Sequence, residues 1–141
     1  MVRGRLPAVA AVALILGLAF GIRAWSDGWL EQHSGTALYA SMIYAGMFVL
    51  RPACPPVRAG VLAVAFCWAV EAFQLTGVPA ALAERSLAAR LVLGARFDWA
   101  DVAWYPVGVV PLVVLHLLVI RRAAVSAATA GRGSRVGSPP G

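Results

Sequence analysis

Four long apolar stretches, each bounded by polar or charged residues, leave this chain few ways to fold. They run from about Leu6 to Ile22, Gly35 to Leu50, Val57 to Leu75 and Asp101 to Ile120. A helix crossing a bilayer needs about 17 to 25 apolar residues, and it satisfies its own backbone groups there. The second stretch is short for this and calls for extension to His33 or local thinning of the bilayer. With 141 residues, 61% of them hydrophobic and 13% charged, a soluble domain has too little interior to hide this much apolar surface. The expected fold is therefore an all-α integral membrane protein. It has about four transmembrane helices, with a short helical or irregular segment between the third and fourth. Residues 1–122 form the four-helix transmembrane domain in this reading. Residues 123–141, rich in Ala, Gly, Ser, Pro and Arg, form a disordered cytoplasmic tail.

The formal charge of +6 comes from arginine alone, for the chain contains no lysine. A basic balance can indicate nucleic acid, but these arginines flank apolar runs and form no stripe, so the expected partner is the lipid bilayer and not nucleic acid. Arginine counting gives the orientation. One side holds Arg3, Arg5, Arg51, Arg58, Arg121, Arg122, Arg132 and Arg135, the other Arg23, Arg85, Arg90 and Arg96. The excess places both termini in the cytoplasm of a bacterial cell, with Asp27, Glu31, Glu84, Asp98 and Asp101 facing outward.

Arg3, Arg5, an apolar run and Ala24-Trp25-Ser26 share the order of a cleaved signal peptide. Arg23 beside the cleavage position, and a Gly17 and Gly21 pair suited to close helix contact, favour a retained helix instead. Cys54 and Cys67 belong to different depths and read as unpaired thiols. His33 and His116 are likewise too far apart to share a metal, and no metal set, cofactor motif or phosphate-binding glycine loop is present. Trp25, Trp29, Trp99 and Trp104 fall where an interfacial aromatic belt is expected, and Gly108 with Pro111 suggests a bend in the last span.

Val78 to Phe97 carries Glu84, Arg85, Arg90 and Arg96, too many charges for a span. Pro79 opens a short helix there and Gly94 closes one in the expected reading. This segment joins the third and fourth spans at the same end as the most informative residue, Glu71. Glu71 lies inside the third apolar run, roughly 6 Å from its end by the helical rise. Gln74 shares its face. A carboxyl at that depth must be paired, hydrated or protonated. Thr36 and Tyr39 open the second span on one face, and Asp98, Asp101 and Tyr105 share a face at the entrance to the fourth. Because successive spans alternate direction, all these groups meet at one end of the bundle. Two readings stay open. One is a polar pocket at the outer leaflet formed by Glu71, Gln74, Asp101 and an arginine. The other is a structural clamp in which Glu71 pairs with Arg85 or Arg90.

The runs Gly35-Thr36-Ala37-Leu38-Tyr39-Ala40, Arg51-Pro52, Val70-Glu71-Ala72-Phe73-Gln74-Leu75 and Leu93-Gly94-Ala95-Arg96-Phe97-Asp98-Trp99-Ala100-Asp101, followed by Tyr105 and Gly108, resemble the bacterial membrane family called domain of unknown function 2809. The resemblance covers about Leu6 to Ile120. Glu-x-x-Gln followed by Asp and Gly is also similar to the VanZ-like proteins, which are linked to teicoplanin resistance in bacterial envelopes. The resemblance implies a four-helix membrane protein of uncharacterised activity, with Glu71, Gln74, Asp101, Tyr105 and Gly108 as pattern positions and Arg85 matching the arginine after Glu-x-x-Gln. Thr36 departs from the pattern, which commonly has an acid there. A catalytic acid would be missing here, whereas a helix cap would tolerate threonine.

Two function classes follow. The first is a non-enzymatic envelope protein whose polar cluster (Thr36, Tyr39, Glu71, Gln74, Arg85, Asp98, Asp101 and Tyr105) binds a lipid head group or small ligand, or steadies an envelope partner. The second is a membrane enzyme using Glu71 and Asp101 as an acid–base pair on a lipid-linked substrate. No nucleophile motif accompanies that pair, so the non-enzymatic reading is preferred. A transporter subunit ranks last, because polar groups gather at one end only.

Overall fold

A computed structural model describes residues 6–25, 29–94 and 96–136. Arg3, Arg5, Ser26, Asp27, Ala95 and residues 137–141 lie outside the described residues. So do the side chains of Arg23, Trp25, Trp29, Glu31, Arg132 and Arg135, on which part of the orientation reading and of the aromatic belt rests. Six helices follow one another: α1 (Leu6–Trp25), α2 (Trp29–Leu50), α3 (Pro56–Gln74), α4 (Val78–Arg85), α5 (Leu87–Leu93) and α6 (Trp99–Val136). α2 is central and packs against α1, α3 and α6, while α3 also packs against α6.

The expected count of four spans is corrected. Among the described residues two helices are long and apolar enough to cross a membrane: Pro56–Gln74 and the Trp99–Ala128 part of α6. The physical reason is clearest in α2. Its first turns hold Gln32, His33, Ser34 and Thr36, and Ser41 follows, so only its later half is continuously apolar. α1 has an environment described only in part and does not enter that pair. Gly17 and Gly21 also differ from expectation, for a Cβ at either would meet nothing within 4 Å.

Small residues let the central helices approach closely. The buried core comprises Ala40, Tyr44, Ala59, Ala63, Cys67, Tyr105 and Val109, and small side chains at helix contacts bring backbones together where hydrophobic driving force is weak. Gly60 abuts Val113, whose Cγ2 would lie 2.6 Å from a Cβ at that glycine. Cys54 and Cys67 are free thiols.

The segment expected to be short and helical or irregular forms two short helices. Gly77 turns the chain with φ +76° before Val78 and Pro79 open α4. Ser86 caps α5, accepting from the Ala89 N–H at 3.3 Å. Gly94 ends it with φ +67°, a conformation that costs little only for glycine.

α6 starts two residues before the apolar stretch, because Asp98 caps it: the Ala100 N–H donates to the Asp98 carboxylate at 2.8 Å. Asp101 in its first turn favours the helix dipole. Pro106 and Pro111 both lie inside this helix. A proline withholds the N–H that would bond the carbonyl four residues earlier. For Pro106 that carbonyl belongs to Val102, and the Trp68 indole N–H donates to it at 3.0 Å. α6 then continues into residues 123–136, the stretch that composition reads as an unstructured tail. Its Ala-rich run has high helix propensity, and Arg121 to Ala128 are exposed.

Candidate functional site

Polar side chains from α2, α3 and α6 meet at the end of the bundle where α4 and α5 cross. At the centre is Glu71, 1% exposed on the inner face of α3. Tyr105 in α6, itself buried, donates its hydroxyl to Glu71 Oε1 at 2.6 Å. The Asp98 backbone N–H donates to Oε2 at 3.3 Å. One carboxyl thus holds α6 and the residue that caps it, at positions seven residues apart. A buried acceptor gains from such donors and would be costly without them.

Around it the same end is stitched in three further places. Thr36 donates to Asp101 Oδ1 at 2.7 Å, joining α2 to α6. Tyr39 donates to the Val92 carbonyl at 3.0 Å, and Gln74 Nε2 to the Leu93 carbonyl at 2.7 Å. Those carbonyls lie in the last turn of α5, where no intrahelical donor is available. Tyr39 and Gln74 therefore cap α5 from two different helices. Gln74 Oε1 is buried and has no partner. The Tyr39 and Tyr105 rings lie 6.4 Å apart, and the His33 ring meets Trp104 edge-on at 5.2 Å.

The structure brings together Thr36, Tyr39, Glu71, Gln74, Asp98, Asp101 and Tyr105 from the sequence-derived cluster. It does not bring Arg85 in: Arg85 is exposed at the end of α4, as is Arg90 on α5. Glu71 is bonded to a tyrosine hydroxyl and a backbone amide in place of a guanidinium. His33 lies within α2 and is 8% exposed. Thr36 is two turns inside α2, so it is not a helix cap. An acid at this position would face the Asp101 carboxylate.

Polar contacts made by three groups were not anticipated. Ser41, buried in α2, reaches the Ala37 and Gly108 carbonyls, both at 2.9 Å. Trp68 completes the Val102 carbonyl. Tyr44 and His116 Nδ1 lie 3.1 Å apart at the other end of the bundle. A signal existed for the second: a proline in a span requires an outside donor near the residue four positions before it. Among the described residues no group of three or more His, Cys, Asp or Glu side chains is placed to hold a metal.

Two helices long and apolar enough to cross a membrane, with polar side chains turned inward to one another, define a small α-helical membrane protein. Residues 25–109 match the family described as protein of unknown function (DUF2809). The chain belongs to that family, which is linked to VanZ-like bacterial membrane proteins. The matched region contains the whole polar cluster and ends one residue past Gly108. No solved structure matches the chain.

Proposed function

We propose that the protein is a non-catalytic component of the bacterial envelope, in which the Glu71 cluster holds α4 and α5 as a shelf at the outer lipid boundary. The supporting observation is where the cluster spends its hydrogen bonds. Tyr39 and Gln74 bond the last carbonyls of α5, and Glu71 bonds the amide at the start of α6, so the segment between the two spans is fastened at its far end. The shelf exposes Leu82, Leu87 and Leu91 beside Arg85 and Arg90. Such a mixture suits the boundary between head groups and acyl chains, where a lipid head group or an envelope partner would be met. The arginine distribution supports cytoplasmic termini, with this shelf on the opposite side.

Hydrogen exchange over residues 78–94 tests the reading. Glu71→Ala and Gln74→Ala are expected to speed exchange there while leaving the first half of α3 protected. Unchanged exchange would remove the reading. A reporter fused after Gly141 is expected to show cytoplasmic activity, and an externally active fusion would reverse the orientation.

The second reading is a membrane enzyme with Glu71 and Asp101 as an acid–base pair on a lipid-linked substrate. It is favoured by one observation: Asp101 lies one turn before Tyr105, the residue that donates to Glu71. Turnover of such a substrate, abolished by a folded Glu71→Gln variant, would establish it.

A further inference from the structure

At the opposite end of α3, roughly 20 Å from Glu71 by the helical rise, Arg51 and Arg58 line one cavity of about 480 Å³. The loop between them is restrained. Pro52, Pro55 and Pro56 restrict its backbone, and the Cys54 N–H closes a turn on the Arg51 carbonyl at 3.0 Å. Both arginines are exposed. Glu71, Glu84, Asp98 and Asp101, the acids whose side chains are described, all belong to the other end of the molecule. Among the described residues, then, no carboxylate neutralises this pair.

A second, apolar groove of about 830 Å³ runs between α1, α2 and α3, lined by residues that include Gly46, Met47, Leu62 and Phe66. Leu62 lines both cavities. The basic pocket and the groove therefore meet at one side chain. α3 is one of the two helices long and apolar enough to cross a membrane; as a span it would set the groove at acyl depth and the loop at its boundary. The positive-inside bias accounts for arginines at this level, but not for the cavity they line or for the groove that continues from it.

We propose that the Arg51–Arg58 loop and the adjoining groove bind one phospholipid with an anionic head group. Its phosphate is held by the two guanidiniums, and an acyl chain lies against Met47, Leu62 and Phe66. Guanidinium matches phosphate with paired, charge-assisted hydrogen bonds, and a preformed loop loses little freedom on binding. The groove distinguishes this ligand from free phosphate, which would leave that surface unused.

The test is native mass spectrometry of the full-length protein, released from detergent with phosphatidylglycerol or phosphatidylcholine of matched chains. The intact protein is expected to retain one phosphatidylglycerol in preference to phosphatidylcholine. Arg51→Gln with Arg58→Gln is expected to lower that retention by about tenfold or more, as for the loss of two charge-assisted contacts. Arg121→Gln with Arg122→Gln, outside the cavity, is expected to leave it unchanged. Gly46 lines the groove and a Cβ there meets nothing within 4 Å, so the side chain of Gly46→Leu is expected to occupy the groove and to lower retention of both lipids. Equal phosphatidylglycerol retention by the folded arginine variant would overturn the proposal. So would full retention by Gly46→Leu, or displacement of the lipid by inorganic phosphate alone, which would assign the pocket to a free anion.

Discussion

Gly108 of α6 presses against the Ala37 backbone of α2 so closely that a Cβ at position 108 would lie 2.7 Å from the Ala37 carbonyl carbon and 2.9 Å from its Cα. The obstacle is main chain, which cannot swing aside as a side-chain end can. Ser41 bonds the Gly108 carbonyl at the same crossing. Gly108→Ala is accordingly expected to destabilise the protein by about 3 kcal/mol, the upper part of the range for overpacking, seen as a lower unfolding midpoint in detergent. Gly46→Ala, near the C-terminal end of α2, meets open space and is expected to stabilise by about 0.5–1 kcal/mol. Equal effects at the two positions would show that the α2–α6 crossing is looser than described.

Trp68 and Pro106 make a linked pair. Trp68→Phe leaves the Val102 carbonyl without its indole donor, at an expected cost of about 1–3 kcal/mol for a carbonyl left unsatisfied where lipid supplies no donor. Pro106→Ala returns a backbone N–H to bond that same carbonyl. The double variant is therefore expected to recover most of the loss caused by Trp68→Phe alone. Strictly additive unfolding midpoints would show that the indole bond carries no such role.

Glu71 and Tyr105 are expected to couple. Removing the Tyr105 hydroxyl with Tyr105→Phe takes one donor from the carboxyl, and Glu71→Ala strands that hydroxyl in the interior. In a double-mutant cycle the pair should show an interaction of about 0.5–3 kcal/mol, the range for residues in one network. Glu71→Gln keeps an acceptor for Tyr105 but turns its amide toward the Asp98 N–H or loses that bond. It should fall between the native protein and Glu71→Ala in unfolding midpoint.

Gly94 is held in place for two reasons. Its φ of +67° is strained for any other residue, and a Cβ would lie 2.6 Å from Gln74 Nε2. Gly94→Ala is expected to cost about 1–3 kcal/mol from the backbone alone, because φ +67° with ψ −174° is open essentially to glycine, with faster hydrogen exchange across residues 87–93. Removing the clash with Gln74→Ala should not rescue it, because the φ penalty remains and the Leu93 carbonyl loses its donor. Full rescue would assign the whole effect to the clash.

Local pattern carried much of the architecture. Apolar run lengths located α3 and the apolar part of α6, and the Pro79 and Gly94 punctuation marked a helical segment between them. Helical spacing placed Glu71 and Gln74 on one face, and Asp98, Asp101 and Tyr105 on another. These features depend on residues a few positions apart, which is why they can be read along the chain. The count of spans went astray where composition is diluted gradually, as in α2, because no single charge marks the stretch as too polar.

The linear chain thus determined that apolar helices would form and that hydrophilic side chains would collect at one end. Only the tertiary structure decided who bonds whom: Thr36 with Asp101, 65 positions apart, and Glu71 with Tyr105, 34 apart. It also decided that Glu71 takes a hydroxyl and an amide in place of an arginine, and that Arg51 and Arg58 share a cavity that has Leu62 in common with an apolar groove. The reason is geometric. Hydropathy and backbone propensity are properties of neighbouring residues, whereas a buried hydrogen bond or a shared cavity depends on how closely separate helices approach, and that is set by small residues such as Gly108, Ala37 and Ala40 at their crossings.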